Sequence, residues 1–124
     1  MKIAQVAPLF ESVPPAGYGG TERVVAHLTD ALVEMGHEVT LYAAGDSRTQ
    51  ATLVPISPRA LRLDPRRPDW LVWHTIMLDR VFTDAAAYDV IHFHVDILHM
   101  PLARACPRPY ITTLHGRLDH SGMP

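Results

Sequence analysis

The sequence predicts an open α/β fold, in which a parallel β-sheet carries helices on both of its faces. Short apolar runs typical of buried strands alternate with longer segments whose apolar residues recur at helical spacing. The first unit, Lys2 to Ala44, reads strand, glycine-rich loop, helix, strand, and a crossover helix of this kind joins parallel strands. The 124 residues are enough for one domain with a core and too few for two.

The first half of the chain is expected to supply three strands and one helix. Lys2 to Ala7 is the first strand, and the glycines and prolines of Leu9 to Gly20 indicate a loop. We expect a helix from Thr21, as N-cap, to Met35, with Gly36 at the left-handed position that follows a helix. Its apolar stripe comprises Val24, Val25, Leu28, Ala31, Leu32 and Met35, and strands are expected at residues 38–44 and 51–56.

The second half continues the alternation. Residues 57–69 carry three prolines and four arginines and are expected to form an exposed connection. Helical spacing predicts a helix from Trp70 to Ala87, followed by a buried strand, a short helix and a last strand at residues 90–93, 97–105 and 110–114. The polar stretch from Arg117 to Pro124 contains no closing helix, from which we expect a domain that is followed by a second one.

Composition narrows the classes of function. A net charge of −2 argues against a duplex nucleic-acid binder, which needs a basic face. Cys106 is the single cysteine, and there is neither a signal-peptide pattern nor a long apolar run, so we expect a cytoplasmic protein. The arginines of the connection are expected to form a solvated loop, and attraction to an anionic acceptor or a peripheral membrane surface is the alternative. These are Arg59, Arg62, Arg66 and Arg67.

Candidate functional residues follow the predicted strands. In open parallel sheets, ligands bind beyond the carboxyl ends of the strands. This rule brings together the glycine loop at residues 17–20, Gly45 to Ser47, His94 to Asp96, and His115 to Arg117. The sequence therefore predicts that Gly20, His94 and His115 share one edge of the sheet.

The glycine loop precedes a helix N-terminus, where free N–H groups attract phosphate or another anion. A dinucleotide fingerprint would need a third glycine three positions after Gly19, and Glu22 stands there. An NAD site is therefore disfavoured, and no cofactor is expected. A plain turn is the alternative interpretation of the loop.

The eight histidines raise the question of a metal. His92 and His94 lie two residues apart in a strand and should point to one face. With His115 they could form a metal-dependent hydrolase site. One such histidine pair is not specific, since zinc needs three or four ligands in fixed geometry, so no metal is expected.

Several blocks of the sequence, in order and spacing, resemble the opening of the family 4 retaining glycosyltransferases. They are Met1 to Ala4, Gly19 to Arg23, Leu32 to Thr40, Tyr88 to His94, and Thr112 to Gly116. The resemblance covers nearly the whole chain. It implies the N-terminal half of a GT-B fold, which consists of two Rossmann-like domains facing each other across a cleft, with residues 1–124 as one such domain.

The resemblance also implies roles. The parent enzyme would transfer a sugar from a nucleotide-sugar donor to an acceptor with retention of configuration, without a resident cofactor. His115 would be catalytic, and the substrate-binding residues would be Gly19, Gly20, Thr21, His94, Gly116 and Arg117. The C-terminal domain, which mainly binds the donor, is absent from the sequence, so residues 1–124 alone are expected to be inactive.

Three other functions stay open at this point. The domain could bind a nucleotide or sugar phosphate without chemistry, it could be the histidine-based metal hydrolase, or it could be a folded remnant without function.

Overall fold

The computed structural model describes residues 1–17 and 19–115. Strands and helices alternate along this part of the chain as the sequence predicts. Three short 3-10 helices, Leu61–Leu63, Ala85–Ala87 and Met100–Ala105, complete the regular structure. The main elements are β1 (Lys2–Val6), α1 (Gly20–Glu34), β2 (Glu38–Ala43), β3 (Thr52–Pro55), α2 (Trp70–Asp84), β4 (Val90–Phe93) and β5 (Tyr110–Thr112).

The five strands form one parallel sheet in the order β3-β2-β1-β4-β5. The chain builds outwards from β1 to β2 and β3, and then returns to place β4 on the other side of β1. This reversal between β1 and β4 is a topological switch point, where the connections leave a crevice at the carboxyl ends of the strands. Ala4 pairs with Ile91 and Val6 with Phe93 across it.

Each face of the sheet packs against one helix, which confirms the predicted open α/β class with helices on both faces. Consecutive residues of β2 point to opposite faces of the sheet. Leu41 packs with Val25 on the face that α1 covers, and Tyr42 packs with Val81 on the face that α2 covers. The Tyr42 hydroxyl also donates to Asp84 at the end of α2, at 2.9 Å. These contacts fix both helices against the strands.

Helix α1 begins one residue earlier than predicted, and its cap is different. Gly19 is the N-cap and no side chain caps the helix, so the expectation that Thr21 caps it is wrong. At the other end Gly36 has φ 94°, and the backbone N–H groups of Gly36 and His37 donate to Val33 and Leu32. This is the predicted left-handed termination.

The buried face of α1 is rotated from the predicted stripe. Val25 is buried, but Val24 and Met35 are 51% and 71% exposed. The buried residues of α1 include Glu22 and Thr29, which apolar periodicity does not select because both are polar.

Helix α2 begins where the sequence predicts, and its α-helical part ends three residues early in a 3-10 turn. Asp69 caps it by accepting from the N–H groups of Leu71 and Val72. His74 is buried, and its Nε2 accepts from the N–H of Leu9 at 3.0 Å. Because Nδ1 of the same ring lies 2.7 Å from the carbonyl oxygen of Trp70, His74 ties the loop after β1 to α2 as a neutral imidazole.

Candidate functional site

The candidate site lies where β1, β4 and β5 end. The backbone N–H of His94 donates to the carbonyl of Val6, and that of Thr113 donates to Phe93, so pairing continues past the last strand residues. Parallel strands present their carboxyl ends at one edge, and β1 and β4 flank the switch point there. His94 and His115 therefore meet at this edge.

His94 is 1% exposed, and both of its ring nitrogens are occupied. Nε2 lies 2.7 Å from Oε1 of Gln5, and Nδ1 lies 3.0 Å from Nε2 of His115. Burial, followed by repulsion from the imidazoles of His92 and His115, lowers the pKa of His94 to about 3. His94 is thus a neutral hydrogen-bonding group within the protein, and in this arrangement neither of its ring nitrogens is free for a ligand.

His115 is half-exposed and is anchored twice. Its ring contacts His94, and its backbone N–H donates to Oδ1 of Asp96 at 3.2 Å. Asp96 has φ 53°, a left-handed conformation that aspartate tolerates better than most residues. The end of β4 thereby fixes both the main chain and the side chain of the residue predicted to be catalytic.

The ring of His92 packs beside that of His94, with 3.9 Å between centroids, so the two histidines share a face as predicted. Nε2 of His92 is 2.7 Å from Oγ1 of Thr113, and burial lowers the pKa of His92. His99 instead packs on the opposite face of β4, where its ring stacks on Phe93 with centroids 4.2 Å apart. It is a core histidine.

The histidines do not form a metal centre within the part of the chain that the structure describes. Across residues 1–17 and 19–115, no group of three His, Cys, Asp or Glu side chains is placed to hold a metal ion. The hydrolase alternative therefore has no ligand set among these residues.

The glycine loop lies after β1, at the same edge of the sheet. Gly19 caps α1, Gly20 is exposed, and Thr21 is half-buried in the first helical turn. Among the described residues, no hydrogen bond joins these three residues to His94 or His115. Gly116 and Arg117, the other two predicted site residues, lie outside the described residues.

Two buried carboxylates lie against Gly19. Glu22 and Glu11 are 5% and 6% exposed, and Glu11 pairs with Arg62 at 2.6 Å. Burial, reinforced by the negative charge of Glu11, raises the pKa of Glu22. A carboxylate already occupies this helix N-terminus, so the loop suits hydroxyl groups better than a second anion such as a diphosphate.

Replacing each of the two glycines with alanine should have different effects on the free energy of unfolding. A Cβ on Gly19 would lie 2.9 Å from Cβ of Pro15 and 3.1 Å from Oε1 of Glu22, which forces the loop to move. We expect Gly19→Ala to lower the free energy of unfolding by about 1–3 kcal/mol. A Cβ on Gly20 meets no atom within 4 Å, so Gly20→Ala should leave stability unchanged or raise it by up to about 1 kcal/mol. Urea unfolding of both variants tests this, and equal stabilities would contradict it.

Two of the four clustered arginines are committed to ion pairs within the domain. Besides the Arg62 pair, Arg66 bonds Asp64 through two of its nitrogens and lowers the pKa of that carboxyl to about 2. No helix among the described residues is both long and apolar enough to cross a membrane. Peripheral membrane contact stays a prediction.

Sequence and structure comparisons agree with this architecture. The family model of Glycosyltransferase Family 4 matches residues 18–123, which is most of the chain. The chain belongs to Glycosyltransferase Family 4. A comparison with curated proteins gives no match.

The fold of this family 4 domain is similar to that of a solved glycosyltransferase. AviGT4, which is involved in avilamycin A biosynthesis, aligns with a TM-score of 0.63 and 33% sequence identity over 93% of the present chain. The alignment covers 32% of the AviGT4 chain, so residues 1–124 span about a third of that relative. The likeness supports the Rossmann-like, GT-B-type fold predicted from the sequence.

The functional geometry also includes residues that the sequence analysis missed. Gln5, Asp96 and Thr113 hold the three histidines. Gln5 lies in no segment that the sequence singles out, whereas Asp96 and Thr113 lie in such segments but were given no role of their own. A polar residue in the middle of an apolar strand is the one sequence signal that could have identified Gln5.

Proposed function

We propose that this domain is the acceptor-side half of a retaining GT-B glycosyltransferase, which transfers a sugar from a nucleotide-sugar donor to a still unidentified acceptor. The single observation that carries the proposal is the position of His115, fixed beside the switch point of a family 4 domain by His94 and Asp96. A residue held in this way can orient a sugar without large loss of entropy on binding.

In this proposal, His115 contacts the transferred sugar at the cleft. A C-terminal domain supplies the groups that bind the nucleotide and stabilise the charge that develops on the diphosphate as it departs. The length of AviGT4, of which the alignment covers 32%, supports the need for such a second domain. Donor and acceptor are then held between the two halves, and no resident metal or other cofactor is assigned.

The glycine loop is assigned to the acceptor. The buried carboxylates of Glu11 and Glu22 disfavour a diphosphate there, whereas backbone N–H groups and carboxylate oxygens together suit sugar hydroxyls. Gly20 is exposed and leaves room for a close approach to the backbone. Thr21 borders the same turn, and Gly116 and Arg117 remain assigned to the substrate by their place after His115 in the sequence.

The proposal is tested with the complete enzyme that contains this domain. Incubation with a panel of UDP-, GDP- and ADP-sugars and candidate acceptors should release nucleoside diphosphate and form a glycoside with the anomeric configuration of the donor. Proton NMR of the first product distinguishes the two anomers. An inverted product would contradict the retaining mechanism. Binding of nucleotide sugars without transfer to any acceptor would favour the stand-alone binding module.

A further inference from the structure

A chain of hydrogen bonds runs from the interior of the sheet to His115. It begins at Gln5, which is 1% exposed within an otherwise apolar β1, continues through the ring of His94 and ends at Nε2 of His115. The distances are 2.7 Å and 3.0 Å, which are good hydrogen-bond lengths. The proposed role of His115 uses its contact with His94, but it does not explain why His94 is bonded in turn to a buried glutamine.

The chemistry of these three side chains determines which atom donates and which accepts in each hydrogen bond. A glutamine oxygen only accepts, so Nε2 of His94 must carry the proton that bonds Oε1 of Gln5. A neutral imidazole has one N–H, which leaves a lone pair on Nδ1 of His94. That lone pair can only accept, and so Nε2 of His115 must donate to it.

Burial of His94 keeps the donors and acceptors in these hydrogen bonds in the same roles. The low pKa of His94, about 3, holds its ring in the neutral form in which one nitrogen donates and the other accepts. The Nε2 atom of Gln5 has no hydrogen-bond partner, although it is buried. A buried donor without a partner costs free energy. A glutamine at this position is most simply explained by its side-chain oxygen, because an apolar residue would not supply an acceptor for Nε2 of His94.

This arrangement determines the state of Nδ1, the other ring nitrogen of His115. With Nε2 committed as a donor, neutral His115 carries a lone pair on Nδ1, and among the described residues no hydrogen-bond donor reaches that atom. The bond from the His115 backbone to Asp96 holds the main chain while the ring is held by His94. The orientation of the His115 ring is therefore fixed, and so is the tautomer.

We propose that His94, held by Gln5, is a positioning residue that fixes the ring and the tautomer of His115 and presents Nδ1 of His115 as an acceptor for a ligand hydroxyl. The inference rests on the proposed function only in naming that hydroxyl as one of a sugar. An acceptor nitrogen selects a hydroxyl group over a phosphate oxygen, because an unprotonated phosphate oxygen has no proton to donate.

The proton positions can be measured on the 124-residue chain without any substrate. Long-range ¹H–¹⁵N spectra of the imidazole rings, recorded above neutral pH, distinguish protonated from unprotonated ring nitrogens. We expect Nε2 protonated and Nδ1 unprotonated in both His94 and His115, with the His115 Nε2–H proton protected from solvent exchange. A proton on Nδ1 of either ring would overturn the proposal.

Two substitutions of His94 separate positioning from packing. An asparagine amide oxygen can occupy the place of imidazole Nδ1, so His94→Asn should keep the acceptor for His115 and its protected proton. A glutamine amide reaches the place of Nε2 instead, so His94→Gln should lose that acceptor while keeping a polar group beside Gln5. The two variants differ by one methylene group, which makes each the control for the other.

In the complete enzyme, kcat of His94→Gln should fall about tenfold or more below that of His94→Asn, with KM little changed. Equal kcat values would overturn the positioning role even if the spectra show the expected tautomers. If His115 itself proves dispensable for transfer, the proposed function fails instead, while the proton positions in the free chain are unaffected.

Discussion

Lowering the pH from about 7 to about 5 should remove a large part of the stability of this domain. His94 is the main cause, because its pKa is about 3 in the folded protein and near the ordinary 6.5 when unfolded. Below about pH 6.5 His94 binds a proton in the unfolded chain but not in the folded protein, so the free energy of unfolding decreases as the pH falls. His94 alone should contribute a loss of about 2 kcal/mol over this interval, a large share of the usual stability of a domain.

Three more histidines act in the same direction. Burial lowers the pKa values of His74, His92 and His99, so each is neutral when folded over more of this interval than when unfolded. Glu22 opposes them, because its raised pKa makes the folded protein take up a proton more readily than the unfolded chain. The histidines prevail by number, and stability should fall steeply with acid.

Urea unfolding of the wild-type chain at both pH values measures the total effect. His94→Asn removes the titrating ring, so the difference between the two pH values should shrink by about 2 kcal/mol. His27 is exposed on α1, and His27→Asn is the control that should leave the difference unchanged. A wild-type free energy of unfolding that is equal at the two pH values would show that the buried histidines do titrate in the folded protein.

The sequence predicts the order of elements well because that order depends on local chemistry. The residue pattern alone locates β4 from Val90 to Phe93 and the left-handed Gly36 after α1. Alternation along a strand likewise predicts that His92 and His94 share a face. None of these conclusions requires knowledge of which strands are neighbours.

The errors and omissions have a common cause, since they depend on tertiary contacts. Thr21 has a good N-cap side chain, yet α1 begins at Gly20 and Glu22 faces inward against the loop. The role of Gln5 is apparent only when β4 lies beside β1, because that pairing brings together residues that are far apart in the chain. Asp96 similarly becomes informative only when β5 brings His115 to it. Periodicity cannot predict such long-range pairs.

Replacing His115 should have the largest effect on activity. Its ring is the group predicted to orient the transferred sugar, and a misplaced or missing orienting group commonly costs on the order of 100-fold in rate. We expect His115→Ala to lower kcat/KM by about that factor. Because His115 is half-exposed and, within residues 1–17 and 19–115, its hydrogen bonds join only His94 and Asp96, the fold should be retained.

A second substitution tests which nitrogen matters. His115→Gln can still donate to His94 from the place of Nε2, but it has no acceptor at the place of Nδ1. It should therefore be nearly as inactive as His115→Ala. His37→Ala is the control, because His37 contacts the amino terminus at the opposite edge of the sheet and should retain wild-type turnover.

The initial rate of sugar transfer by the complete enzyme, compared among wild type, His115→Ala, His115→Gln and His37→Ala at equal folded concentration, tests the central claim most directly. We predict that both His115 variants lose about 100-fold in kcat/KM while His37→Ala retains the wild-type value. Wild-type rates in both His115 variants would contradict the assignment of sugar handling to this edge of the sheet.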